Sequence, residues 1–416
     1  MKQILNFRIF LAASFGNILE FYDFSTYGLM MSVMAPLFFP ASDPMMSLLM
    51  ACGAFSASFI VRPLGGLVFG YIGDQYGGKA SFSLSLIFMA LSTSAIGLLP
   101  VYDDIGIVSP LLLILCRVIQ GICIGGEFSS SLIYASEHFN RKQSHPAFIT
   151  GCITAAGVSG WFLSSLIGYL SIESSLPFAS WRLPFLLGSC VGFFGFYVRQ
   201  SLPDTVLTKP KDLNNFKIIK TEIPGILSIA SIGIVMGILF YGFHIFPSSY
   251  LPTKFPSISH SQVLQYTSFG IGIYMLFLPL SGWISDKLGH LRVMKIFSYL
   301  TILVASLIFS FILSGVPKLI LCAEFLASFI LAGYMAPATY IMTQSFSDGI
   351  RYRLVSLSYN LGASLVGGLT PSILLFFISS YGSFYLPGLF IAACGIAGVL
   401  SSHYFEKRFA GIKKLS

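Results

Sequence analysis

Apolar runs of about 20 residues recur along the whole chain, separated by short polar stretches and without alternation inside the runs. A helix of that length crosses a hydrocarbon core of ~30 Å, whereas a membrane β-strand shows about ten alternating residues. The pattern predicts an all-α polytopic membrane protein with twelve transmembrane helices, over 9–36, 46–71, 80–99, 110–138, 147–171, 183–199, 223–246, 263–284, 293–314, 318–343, 354–378 and 384–404. One polar stretch of size, Gln200 to Glu222, divides six spans from six. The predicted units are an N-terminal six-helix bundle (1–199), a cytoplasmic central loop (200–222) and a C-terminal six-helix bundle (223–416).

Composition strengthens this picture. Of 416 residues 55% are hydrophobic and 10% charged, well below the ~25% charge of a soluble domain. The net charge of +8 does not point to nucleic acid, because its distribution follows the membrane. Nineteen of the 24 Lys and Arg fall in loops and ends on one side, against Arg182, Lys254 and Lys318 on the other and Arg62 and Arg117 within spans. The positive-inside rule then puts both termini in the cytoplasm, with a multi-pass chain in the plasma membrane, the inner membrane of a bacterium. Lys2 and Arg8 precede an apolar run that continues past Glu20 and Asp23, so it reads as a retained first span rather than a cleaved signal. The seven cysteines all fall in apolar segments and read as reduced packing residues. No P-loop, metal-binding HExxH or His cluster is present, so no metal, cofactor or ATP-driven chemistry is expected, and the chain is not read as an enzyme.

The two halves repeat. The second span is followed by Gly70-Tyr-Ile-Gly-Asp74-Gln-Tyr-Gly77-Gly-Lys79, and the eighth by Gly282-Trp-Ile-Ser-Asp286-Lys287-Leu-Gly289. Arg141 lies after the fourth span and Arg351 after the tenth. Two parallel six-helix repeats imply a pseudo-two-fold axis along the membrane normal, with a cavity between the halves near the midplane. In such loops glycines permit tight turns, and an aspartate can cap the positive end of a neighbouring helix.

These loops, with Gly16-Asn-Ile-Leu-Glu-Phe-Tyr-Asp-Phe-Ser-Thr-Tyr-Gly28, Arg62-Pro-Leu-Gly-Gly, Arg117-Val-Ile-Gln120-Gly121 through Glu127, Trp181-Arg182-Leu-Pro-Phe185 and Arg351 through Asn360, resemble the metabolite:proton symporter branch of the major facilitator superfamily. The resemblance implies two pseudo-symmetric six-helix bundles working by alternating access, with a small-molecule substrate and a proton as partners beside the lipid bilayer. It also implies that Asp74 and Arg141, mirrored by Asp286 and Arg351, hold the cytoplasmic side shut, with Gly70, Gly77, Lys79, Gly282, Lys287 and Gly289 completing the loops. Gln75 and Gly78 stand where the family pattern has basic residues, so the first loop is expected to gate more weakly. Osmosensing members carry a long C-terminal extension, whereas about a dozen residues follow the last predicted span here, so regulation through such a tail is not expected.

Ionisable side chains inside spans are costly and face a wet cavity or a partner. Gly16, Glu20, Asp23 and Tyr27 fall on one broad face of the first helix near its middle. Two carboxylates one turn apart cannot both hold charge cheaply in a site of low dielectric, so one can carry a proton. Asp23 is the expected carrier, with Glu20 its neighbour and Glu127 a further candidate. Arg117, with Gln120, is the expected partner for a substrate carboxylate, and Tyr27, Trp161 and Asn360 complete the predicted binding set. Trp161 reads either as a cation–π surface or as helix packing. Arg62 reads as a structural residue on the gate side. Glu324 reads as a second proton site or as an outer-end carboxylate, and His244 as a span-end histidine without an acid nearby in sequence.

The expected function is proton-coupled symport of a small metabolite by a monomer. One strong intramembrane cation beside carboxylates and aromatics suits a zwitterion such as proline or glycine betaine. The alternatives are a di- or tricarboxylate of the α-ketoglutarate type, or a non-transporting membrane sensor on the same fold.

Overall fold

A computed structural model describes residues 2–76, 78–125, 128, 132–133, 145–173, 180–200, 216–346, 351–382 and 385–413. They trace twelve spans in order. The N-terminal half holds the first span (Lys2–Phe38), a second made of two helices (Pro44–Ile60 and Arg62–Tyr76), the third (Gly78–Leu98), the fourth (Val108–Ile124), the fifth (Pro146–Glu173) and the sixth (Arg182–Gln200). The C-terminal half holds the seventh (Phe216–Phe240, continued by Tyr241–Ile245 and Phe246–Lys254), eighth (His260–Leu288), ninth (His290–Leu313), tenth (Pro317–Gln344), eleventh (Arg351–Gly362, Ala363–Gly367 and Thr370–Tyr381) and twelfth (Tyr385–Lys413). Eight of the described helices are long and apolar enough to cross a membrane by themselves. Large apolar side chains such as Leu303 and Leu276 stand exposed on the outside, the arrangement a lipid solvent requires.

Local chemistry explains the element ends. Asp43 caps the second span by accepting from the Met45 amide, and Ser259 and Gln262 form a reciprocal capping box at the eighth. Gly289, at a φ of 95°, makes the turn between the eighth and ninth spans that a residue with a β-carbon would resist.

The seventh span corrects the sequence reading. The sequence predicts a span over 223–246, yet the helix runs on to Lys254. The wide turn at Tyr241–Ile245, where the Phe246 amide bonds back to the Tyr241 carbonyl, makes room for the ring of Pro247. His244 is therefore an interior residue, fully buried, rather than one at a span end.

Backbones meet where glycines allow it, as the packing of membrane helices favours. A methyl group at Gly237 would stand 2.6 Å from the Gly367 Cα, which fixes the seventh span against the eleventh. Gly151 approaches the Leu278 carbonyl just as closely, joining the fifth span to the eighth across the two halves.

Candidate functional site

The two halves enclose a central cavity of about 40 Å³, room for about three waters. Its walls come from both halves: Glu20, Phe21 and Phe24 of the first span, Arg62 of the second and Trp161 of the fifth face Phe240 and Tyr241 of the seventh, Tyr274 of the eighth and Tyr359 and Asn360 of the eleventh. One acid and one base thus share a chamber walled mainly by aromatic and aliphatic side chains.

Arg62 follows Ser58 by four residues and Phe59 by three, so it continues their inward-facing side of the second span just past the break at Val61. Its guanidinium lies 4.2 Å from the Phe24 ring centre and 4.5 Å from that of Phe59. The sequence predicts a structural role on the gate side for Arg62, and the structure places its side chain on the cavity wall.

Arg117 lies outside the cavity wall, fully buried behind it. It donates to Gln120 Oε1 at 2.7 Å and to Ser58 Oγ at 2.9 Å, and Gln120 Nε2 donates in turn to Thr93 Oγ1 at 2.8 Å. The rings of Phe24 and Tyr27 each stand 4.7 Å from its guanidinium. Arg117, Gln120 and Tyr27 are thus one buried network joining the second, third and fourth spans to the first, with Phe24 shared between Arg117 and Arg62.

Glu20 and Asp23 diverge. Three residues apart they are about 60° apart around a helix, enough to send them to different neighbours. Glu20 lines the cavity, whereas Asp23 faces the sixth span, where a methyl group at Gly188 would meet Asp23 Oδ1 at 2.7 Å. Asp23 is 1% exposed, and neither of its carboxylate oxygens has a hydrogen-bond partner among the described residues. Glu127 lies outside the described residues.

Trp161 is stacked on both faces, by Phe21 at 4.6 Å and by Phe240 at 3.6 Å between ring centres. The column crosses from one half to the other. Asn360 also bridges them, its Nδ2 donating to the Gly125 carbonyl at 3.1 Å and to the Ser356 carbonyl at 3.0 Å.

Among the described residues the two halves touch on both sides of the chamber. At one end the Asp286 carboxylate accepts from the Ala147 and Phe148 amides, each at 2.9 Å, at the N-terminus of the fifth helix. This is the helix capping that the loop motif anticipated. Gly282 packs on the Ala147 backbone, Lys287 stands over the Trp283 ring, and Arg351 donates to the Phe346 carbonyl at 2.9 Å. Of the first loop, Gly70, Asp74 and Lys79 are placed on helices with their side chains outside the description, and Gly77 and Arg141 lie outside the described residues. At the other end Ser32 Oγ is 3.0 Å from His260 Nδ1, and Ser249 Oγ donates to the Gly28 carbonyl at 3.3 Å.

The sequence reading missed Tyr241, Tyr274 and the pairing of His244 with Glu324, whose Nδ1 and Oε2 lie 2.6 Å apart. The partners are 80 residues apart in the chain, and no sequence spacing signals their contact.

Twelve helical spans arranged as two halves around a central cavity define a membrane protein of the major facilitator fold. The chain belongs to the Major Facilitator Superfamily, whose profile matches residues 13–263. It is 30% identical over 404 residues to a putative proline/betaine transporter of Staphylococcus haemolyticus, covering 94% of this chain and 85% of that one. It is 29% identical over 414 residues to the proline/betaine transporter of Escherichia coli K12, covering 94% and 81%. It is also 29% identical over 419 residues to the glycine betaine/proline/ectoine/pipecolic acid transporter OusA of Dickeya dadantii, covering 95% and 82%. Among solved structures, the proton:xylose symporter XylE bound to 6-bromo-6-deoxy-D-glucose superimposes with a TM-score of 0.73 at 16% identity, covering 98% and 96% of the two chains. The partially occluded inward-open form of XylE from E. coli gives 0.68 at 17%, covering 97% of each.

Proposed function

We propose that this chain is a proton-coupled symporter that carries a small zwitterion, with proline and glycine betaine the favoured substrates, as the names of its relatives suggest. It is a transporter and not an enzyme, as they are. The observation that carries the reading is the presence of Arg62 and Glu20 on the wall of one aromatic cavity. The planar guanidinium suits a carboxylate, Glu20 suits an ammonium group, and Tyr241 and Tyr274, joined by Trp161 once its stack on Phe240 parts, offer ring surface to a quaternary or secondary amine. Arg117, Gln120 and Tyr27 support that wall from behind, and Asn360 ties it to the facing half.

The moving bodies are 1–199 and 223–416, joined by 200–222. The Asp286 end is the cytoplasmic gate of a bacterial inner-membrane carrier with both termini inside, and the Ser32–His260 end is the outer gate. Loading requires the aromatic walls to part, because the Trp161–Phe240 stack joins the two halves across the chamber. Asp23, buried against the sixth span, is the coupling acid, and Glu20 is its neighbour at the substrate. A thermal-stability screen of the purified protein tests the substrate class, since a ligand that binds the native state raises its melting point. Proline or betaine should stabilise the wild type and fail with Arg62→Gln; stabilisation by dicarboxylates alone would contradict the zwitterion reading.

A further inference from the structure

In the C-terminal half, His244 and Glu324 form a pair that this transport scheme does not use. Both are fully buried, at 0% and 1% exposure, with Nδ1 and Oε2 2.6 Å apart. Among the described residues His244 Nε2 has no hydrogen-bond partner. The carboxylate fills the space beside Gly270 that a β-carbon would need, and Ser328 Oγ donates to the Gly270 carbonyl at 2.7 Å, so the eighth and tenth spans close around it. The other titratable group facing the pair is Tyr274 on the eighth span, whose ring stacks on His244; Tyr241, on the span of His244, turns instead to Phe55 and Phe59 of the second. No lysine, arginine or second carboxylate among the described residues acts on Glu324.

Charge balance makes this arrangement a container for one proton. With one proton shared, as imidazolium–carboxylate or as imidazole–carboxylic acid, the pair is neutral overall. Without it a net negative charge remains in a dry interior, and with two a net positive one, and each is costly there. Resting on the carrier reading, we propose that His244 and Glu324 form a second proton-binding site, which takes one proton from water on one side and releases it on the other in each transport cycle. The route to the substrate is short. His244 lies in the wide turn Tyr241–Ile245, whose first residue lines the cavity, and its ring packs on Phe240 and Tyr274, which line it too. Parting of these rings on loading exposes the pair, and their closure seals it.

The test uses the full chain in proteoliposomes with the membrane potential clamped at zero. Each proton moved with a neutral solute raises the limiting accumulation ratio about tenfold per unit of pH gradient. Glu324→Gln, which imitates the neutral acid, should therefore accumulate proline about tenfold less than wild type per pH unit while keeping proline–proline exchange. An unchanged ratio would overturn the proposal. Infrared difference spectra between acid and alkaline buffer provide a readout without transport. A carboxyl band of the wild type should be lost in Glu324→Gln and shifted in His244→Gln, and a spectrum that neither substitution alters would also overturn it. If the wild type accumulates neither proline nor betaine, the carrier reading fails instead, and the spectra decide on the proton site alone.

Discussion

Trp161 and Phe240 stack 3.6 Å apart between ring centres, with planes 24° apart, and they belong to opposite halves of the molecule. Any opening of the cavity that separates the halves must part this pair. An aromatic pair is worth about 0.5–1.5 kcal/mol beyond the area it buries. Trp161→Ala should therefore slow turnover by about two- to tenfold, because each return to the closed state loses this contact, and Trp161→Phe should keep most of the activity. Uptake kinetics at equal expression check both.

The two intramembrane arginines should respond differently to the same substitution. Arg62→Lys keeps the charge in the cavity but loses the planar fork, and should lower kcat/KM at least tenfold with little change in melting temperature. Arg117→Lys strands Ser58 or Gln120 inside the buried network and should cost stability, about 1–3 kcal/mol, by the penalty of an unmade buried hydrogen bond. Thermal unfolding alongside uptake separates the two effects; equal loss of uptake with no loss of stability in both would contradict this division of roles.

Asp286→Asn removes the negative charge that holds two amides at the start of the fifth helix. Such a charge at a helix N-terminus is worth up to ~2 kcal/mol in a partly buried site. The variant should populate the state open at that end and transport more slowly, with insertion and expression unchanged. Alkylation of Cys152, half-buried in the fifth span, should become faster.

Much of this arrangement was legible in the sequence, because the dominant constraint is length. A span such as the tenth, expected over 318–343 and found at Pro317–Gln344, declares itself through unbroken apolarity. A single backbone departure is harder to read: the seventh span, expected over 223–246, runs on to Lys254 through the wide turn at Tyr241–Ile245, which no composition signal marks. Glu20 and Asp23 fall on one broad helical face in the sequence, yet the roughly 60° between them suffices to place one in the cavity and the other against Gly188. Contacts between distant spans, such as His244 with Glu324, require the tertiary fold itself.

Asp23→Asn imitates a permanently protonated acid in a site where the carboxylate has no described partner. It should still bind proline and exchange it across the membrane, but lose accumulation driven by a pH gradient. Gly188→Ala, which pushes a methyl group toward Asp23 Oδ1 and the Tyr22 ring, should weaken the same coupling. Counterflow and uphill uptake measured on the same vesicles distinguish exchange from coupling; undiminished accumulation by Asp23→Asn would remove Asp23 from the mechanism.

The central claim is proton-driven transport of a zwitterion through the chamber walled by Arg62 and Glu20. The most direct measurement is uptake of labelled glycine betaine and proline by proteoliposomes holding the purified protein, with an alkaline interior and a more acidic exterior. The expected result is accumulation above the external concentration, collapsed by a protonophore and absent in Arg62→Gln. Simple equilibration of either solute regardless of the pH gradient, or accumulation that survives Arg62→Gln, would contradict the claim.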